Sequence, residues 1–320
     1  MNTNLLLENV SNPALLFFVL GILAVYLKSD LEIPSNSSKF ISLYLLFAIG
    51  FKGGQELSQE VITIELAWSI LFGICISVVI PVYTFFILKR KLNVYDAGAI
   101  AAAYGSVSAV TFVTAATYLE AHQLHLHGHM VAIMALMESP AIIVGLLMIS
   151  LYQTDHAGAF QRKKLLSHSF TNGSVLLILG SLFIGFVANA KQAEGIKPFT
   201  NDLFKGFLAI FLLDMGITSG KKLKAFFSFG WVPLAFAIVI PLVNGVMVAW
   251  LSAIVTSDPS NRFMFSILAA SASYIAVPAA IKISAPQANP GLFLPMALAV
   301  TFPVNITIGM PLYLMIVQHT

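Results

Sequence analysis

Apolar residues along the chain fall into runs of helix length, separated by brief polar loops, with none of the short alternating segments expected of barrel strands. Judged against the roughly twenty apolar residues needed to cross a bilayer, hydropathy and turn residues predict ten spans. They lie near 13–27, 40–51, 62–88, 95–118, 129–152, 174–190, 203–217, 230–256, 263–282 and 291–317. The expected fold is an all-α integral membrane protein in a lipid bilayer. The second and seventh spans are short and run into Gly50, Gly53 and Gly54, and into Gly216 and Gly220, which are read as helix caps, with hinge or helix-interface use as the alternative.

Two spans are interrupted by polar and small residues at mid-membrane depth. Span four carries Tyr104-Gly105-Ser106-Val107-Ser108-Ala109-Val110-Thr111, and span nine carries Ser271-Ala272-Ser273-Tyr274-Ile275-Ala276-Val277-Pro278. Hydroxyls and a proline there weaken the helix, and a broken helix exposes backbone amides and carbonyls that need protein, water or ligand. Breaks in corresponding halves predict two half-helix N-termini aimed at one anion, with the preceding C-terminal carbonyls suited to a desolvated sodium ion. The competing reading is close packing of small and hydroxyl residues between helices. Pro278 fits the first turn of a half-helix, where its missing N–H does no harm.

The halves repeat weakly. Gly50, Gly54 and Leu57 meet Gly216, Gly220 and Leu223 at an offset of 166, and an offset of 167 places Tyr104-Gly105-Ser106 on Ser271-Ala272-Ser273. Five spans per half force an inverted relationship, with residues 1–152 as one repeat, 153–173 as a short cytoplasmic connection and 174–320 as the other. Loops after odd-numbered spans hold 12 of the 17 basic residues, which predicts both termini outside the plasma (inner) membrane.

Composition sharpens this picture: 58% of residues are hydrophobic, 10% are charged, and mean hydropathy is +0.88. A net charge of +3 spread over loops signals no nucleic-acid partner. Cys75 sits alone in an apolar run and is expected to be a buried, inert thiol. Met1 to Val10 lack the basic start of a cleaved signal peptide. Glu138, two residues before Pro140 in span five, is the most deeply placed acid. Its burial costs on the order of 3 kcal/mol unless paired or protonated, so it is read as a sodium ligand, a support for such ligands, or a hydrogen-bond partner of broken-helix backbone. Asp96, Asp214 and Lys282 are expected to reach the membrane interface. His122, His125, His127 and His129 crowd one outside loop, read as solvated, with zinc binding or pH sensing as the alternative. No HExxH, GxSxG or facing aspartate pair marks an enzyme.

Ile49-Gly50-Phe51-Lys52-Gly53-Gly54, Tyr104-Gly105-Ser106-Val107-Ser108, Met137-Glu138-Ser139-Pro140-Ala141, Leu203-Phe204-Lys205-Gly206 with Met215-Gly216, and Ala288-Asn289-Pro290 follow one another along the chain. In order and spacing they resemble the sodium-dependent bicarbonate transporter family known from cyanobacteria. The resemblance implies a five-plus-five inverted repeat with crossing spans four and nine, elevator-like alternating access and a homotrimer. It implies sodium as coupling ion and bicarbonate or a similar small anion as substrate. By motif, Gly105, Ser106, Val107, Ser108, Ser271, Ala272, Ser273 and Tyr274 are the expected substrate-binding residues. Ser108, Thr111, Glu138, Ser271 and Ser273 are expected to hold sodium or support it. Tyr274 stands where the family continues with aspartate, and Glu138 replaces an aspartate. Two alternatives keep the scaffold: another small organic anion as cargo, or a membrane sensor that no longer transports.

Overall fold

A computed structural model describes residues 13–59, 63–153, 173–274 and 276–320. The expectations for Met1 to Val10 and for residues 154–172 of the connection fall outside the described residues. Every regular element among those described is helical. In chain order these are α1 (Pro13–Tyr26), α2 (Ser35–Leu57), α3 (Ile64–Leu88), α4 (Val94–Gly105), α5 (Ala109–Ala121) and α6 (Gly128–Tyr152). They continue with α7 (Gly173–Val187), α8 (Ala190–Glu194), α9 (Phe204–Phe226), α10 (Trp231–Leu251), α11 (Pro259–Ala270) and α12 (Ala276–Ser284). A last span is assembled from α13 (Pro290–Pro295), α14 (Phe302–Val304) and α15 (Met310–His319), joined by wide π-type turns at Met296–Thr301 and Asn305–Gly309. Pro295, Pro303 and Pro311 recur along it, and each removes an amide from the regular helical ladder. Six stretches are long and apolar enough to cross a membrane, with shorter apolar helices at Leu16–Tyr26 and Leu176–Val187.

Glycines set the closest helix contacts. α1 lies along α9, and α2 along α7. A Cβ on Gly21 would stand 2.3 Å from the Leu213 carbonyl oxygen, and one on Gly216 would stand 2.1 Å from that of Phe18. In the other pair, a Cβ on Gly54 would meet the Leu182 oxygen at 2.1 Å and one on Gly185 the Phe51 oxygen at 2.2 Å. Backbone touches backbone in both pairs, an approach that only glycine allows. This corrects the cap reading: α2 runs on to Leu57 and α9 to Phe226, so Gly50, Gly53, Gly54, Gly216 and Gly220 are helix-interior contact residues. Gln55 adds a polar tie to the α2–α7 pair, its amide donating to the carbonyls of Gly185 and Ala188.

The interrupted span lies at the centre of the molecule. In the most apolar window of Val94–Ala121, 89% is buried, against 39% for Ile64–Leu88. α4 packs against α3 and α6, while α11 packs against α10 and α15. One expectation changes: Cys75 is exposed on the apolar outside of α3. Asp96 and Asp214 are buried and partnered: Asp96 accepts from Asn93 and from the Asn289 amide, and Asp214 accepts from the Ser38 hydroxyl. Each buried carboxylate thus has a donor on a neighbouring segment.

Candidate functional site

Both interrupted spans break where the sequence predicts. Helix α4 ends at Gly105, where a Cβ would stand 2.0 Å from Pro81 Cγ, so the end of α4 is pressed against the proline of α3. Ser106 then turns extended at φ −82°, ψ 170°, and Ser271 does the same after α11 at φ −80°, ψ 165°. Ser108 starts α5, its hydroxyl accepting the Thr111 amide at 3.2 Å. Pro278 lies in the first turn of α12. The equivalent cap residues are thus Ser106 and Ser271, whereas the helices that follow begin at Ala109 and Ala276. Ser106 and Ser271 stand 165 residues apart, so the offset of 167 does not hold at the ends of α4 and α11.

The two breaks are bonded to each other. The Ser108 amide donates to Ser271 Oγ at 3.0 Å, and that hydroxyl donates to the Leu268 carbonyl at 3.0 Å. The Ser273 amide donates to the Ala103 carbonyl at 2.8 Å. One hydroxyl therefore joins the start of α5 to the end of α11, while backbone alone joins the second break to the end of α4. Val107 and Ala272 are buried within the same breaks. Among the described residues, no acceptor takes up the amides of Ala109 and Val110, the first turn of α5.

Of the six buried side-chain atoms among the described residues with no hydrogen-bond partner of normal geometry, three belong to the expected site residues: Ser106 Oγ, Glu138 Oε1 and the Tyr274 hydroxyl. Such atoms are rare in folded proteins because each forfeits its hydration without return. Glu138 projects from α6, which packs against both α4 and α12. The Tyr274 hydroxyl lies beside the Ser108 side chain, and its ring meets Phe302 edge-on at 6.4 Å. Thr111 is buried in the first turn of α5.

Sequence reasoning missed the groups that finish the far end of α11. The Asn244 amide of α10 donates to the Ala269 carbonyl at 3.3 Å, and the Asn305 amide donates to the Ala270 carbonyl at 2.7 Å. Tyr83 of α3 donates to Asn244, and Tyr313 to Asn305 at 3.2 Å, so both amides are oriented from behind. Tyr104 and Thr301 share a hydrogen bond of 2.7 Å, and Thr301 also donates to Ala237. The available signal was a lone asparagine within each of two apolar runs, since such amides are retained only where they find partners.

Each break-carrying span is also fastened at its entrance. Asp96 in the first turn of α4 accepts the amide of Asn289, the cap residue of α13, at 2.7 Å. Asp258, the cap of α11, faces Nε2 of His127, the cap residue of α6, at 3.6 Å. Burial pushes the Asp258 carboxyl up, but the His127 ring and the Asn261 and Ser260 amides outweigh it and hold it below the usual carboxylate range. His125 pairs with Glu56 at 3.0 Å. Among the described residues, no group of three or more His, Cys, Asp or Glu side chains is placed to hold a metal ion.

No curated protein matches the chain. Residues 13–318 match the family described as the Na+-dependent bicarbonate transporter superfamily. That span contains both breaks, Glu138 and all the helices described above, and the chain belongs to this family of membrane transporters.

Proposed function

We propose that this protein is a sodium-coupled secondary transporter that imports bicarbonate or a similar small anion by alternating access, with the crossing breaks as its binding site. The observation that carries the reading is the direct bonding of the breaks, Ser108 to Ser271 and Ser273 to Ala103. It sets the amino end of α5, with two uncommitted amides, against the interrupted part of the other span. A helix start of this kind favours an anion through its free N–H groups and its dipole. Gly105, Ser106, Val107, Ser108, Ser271, Ala272, Ser273 and Tyr274 form the substrate site in this reading.

Sodium belongs at the α4 end. The last carbonyls of α11 are already engaged, Leu268 by Ser271, Ala269 by Asn244 and Ala270 by Asn305. Among the described residues no donor takes up the carbonyls of Tyr104 or Gly105, and Ser106 and Glu138 supply the nearby chain segments with unpartnered oxygen atoms. Hard cations are held by such oxygen sets. Ser108, Thr111, Ser271 and Ser273 complete or support the ion site. Sodium there offsets part of the anion's charge, and its gradient drives uptake.

Two inverted five-span halves, divided as 1–152 and 174–320 about a short cytoplasmic connection, fit the mirrored contacts. The α1–α9 and α2–α7 pairs exchange under such a symmetry, as do the Asp96–Asn289 and Asp258–His127 fastenings. Elevator-like movement, a homotrimer, a plasma-membrane location with both termini outside and the absence of enzymatic activity complete the reading. Tyr274 favours a second cargo: its buried hydroxyl, set beside Ser108, is a donor for a carboxylate of a small organic anion.

Labelled bicarbonate, formate, acetate and lactate offered to reconstituted protein with and without sodium separate these readings. Sodium-stimulated bicarbonate uptake, reduced at least tenfold in Ser108→Ala and Ser273→Ala, is expected. Preference for an organic anion establishes the second cargo, and sodium-dependent binding without uptake establishes a sensor.

A further inference from the structure

A cavity with polar lining lies away from the crossing. It has a volume of about 420 Å³ and opens between α2, the end of α5 and the start of α9. Its size falls in the roughly 300–1,000 Å³ range of small-molecule sites. Lys52 comes from α2, Glu120 from α5 and Lys205 from α9, so three helices each contribute one charge. The Glu120 carboxylate is shared: Oε1 lies 2.5 Å from Lys52 Nζ and Oε2 lies 3.5 Å from Lys205 Nζ. A carboxylate bridging two ammonium groups occupies the position that a free oxyanion would take. Thr200 and Asn201 add polar lining, and exposed Asp202 stands at the rim.

The charges belong to one face only. At the repeat offsets of 166 and 167, Lys52 corresponds to Thr218, Glu120 to Gln287 and Lys205 to Lys39. Symmetric packing of two halves does not require the triad, since its counterpart carries one charge of the three. Ser108 also caps α5, so the helix that reaches this cavity at its end reaches the crossing at its start.

We propose that this cavity is an access site for a small oxyanion, bicarbonate or a simple carboxylate, in which the anion competes with Glu120 for Lys52 and Lys205. The proposal rests on the transporter reading for its role in uptake, but not for the binding itself. The lysines attract the anion, and Glu120 keeps the site filled and neutral when no anion is present. Removing a lysine and removing the glutamate therefore have opposite effects.

Two measurements test it. In proteoliposomes, Lys205→Gln and Lys52→Gln are expected to raise KM for bicarbonate about twofold to fivefold, the scale of partly exposed ion pairs. Glu120→Gln is expected to lower it by a similar factor. A rise in KM for all three variants overturns the proposal, because a purely structural triad fails whichever member is removed. The second measurement is independent of transport. Thr117 lines the cavity, and Thr117→Cys with Cys75→Ser gives a single thiol for a small neutral methanethiosulfonate. Bicarbonate, compared with chloride at equal ionic strength, is expected to slow labelling at least twofold, and to do so equally in Ser108→Ala. Unchanged labelling overturns the site. If wild-type protein takes up no bicarbonate but labelling is slowed, the transporter reading fails while the anion site stands.

Discussion

Replacing Ser271 with alanine tests the junction between the two breaks. Its hydroxyl accepts from the Ser108 amide and donates to the Leu268 carbonyl, both at 3.0 Å, and the residue is 1% exposed. Alanine leaves one buried N–H and one buried C=O unpaired, and each such group costs about 1–3 kcal/mol, so about 2–6 kcal/mol in total is expected. Ser266 provides the control. It is fully buried within α11, but its hydroxyl donates to the Arg262 carbonyl four residues back in the same helix. Ser266→Ala should therefore cost under about 0.5 kcal/mol. Reversible unfolding in mixed micelles, followed by circular dichroism, gives both values. Equal losses in the two variants would refute the claim that Ser271 joins the spans.

Three further outcomes follow from the same geometry. Asn305→Leu strips the Ala270 carbonyl and the Tyr313 hydroxyl of a partner, and should cost about 2 kcal/mol in the same assay. Gly54→Ala places a Cβ 2.1 Å from the Leu182 oxygen and should cost about 1–3 kcal/mol, whereas Gly206→Ala, with open space around it, should be neutral or stabilising. Asp258 has a depressed carboxyl, so its contribution is fully present above its ordinary value of 3.8 and is lost as pH falls through the lower folded value. The stability difference between wild type and Asp258→Asn, a variant that keeps a capping side chain, should be fully present near pH 5 and shrink below about pH 3.5. A difference that instead disappeared between pH 5 and 7 would assign the fastening to histidine titration alone.

The breaks were legible in the sequence because Ser106, Ser108, Ser271 and Ser273 interrupt long apolar runs, and a hydroxyl at that depth needs a reason. Their register was not, because residue identity does not reveal that Ser106 and Ser271 share one backbone conformation. Gly50, Gly54, Gly216 and Gly220 stood out through their repeat, yet were misread as caps. Hydropathy falls where Lys52 and Gln55 enter, although the α2 helix continues through them to Leu57. The same early boundary hid the Lys52–Glu120–Lys205 triad, whose members lie far apart in sequence. Gly21 and Gly185 gave no signal, since their role depends on the facing carbonyls of Leu213 and Phe51. Asn244 and Asn305 were visible as lone amides, but their partners appear only once α10, α11 and the last span are packed together.

The most direct measurement of the account imposes an inward sodium gradient on sealed proteoliposomes and follows labelled bicarbonate. Crossing breaks that hold an anion beside sodium predict accumulation above the equilibrium level, loss of that accumulation when the gradient is collapsed, and at least a tenfold reduction in Ser108→Ala. Bicarbonate uptake that is the same with and without sodium, in protein whose folding is verified, would contradict it.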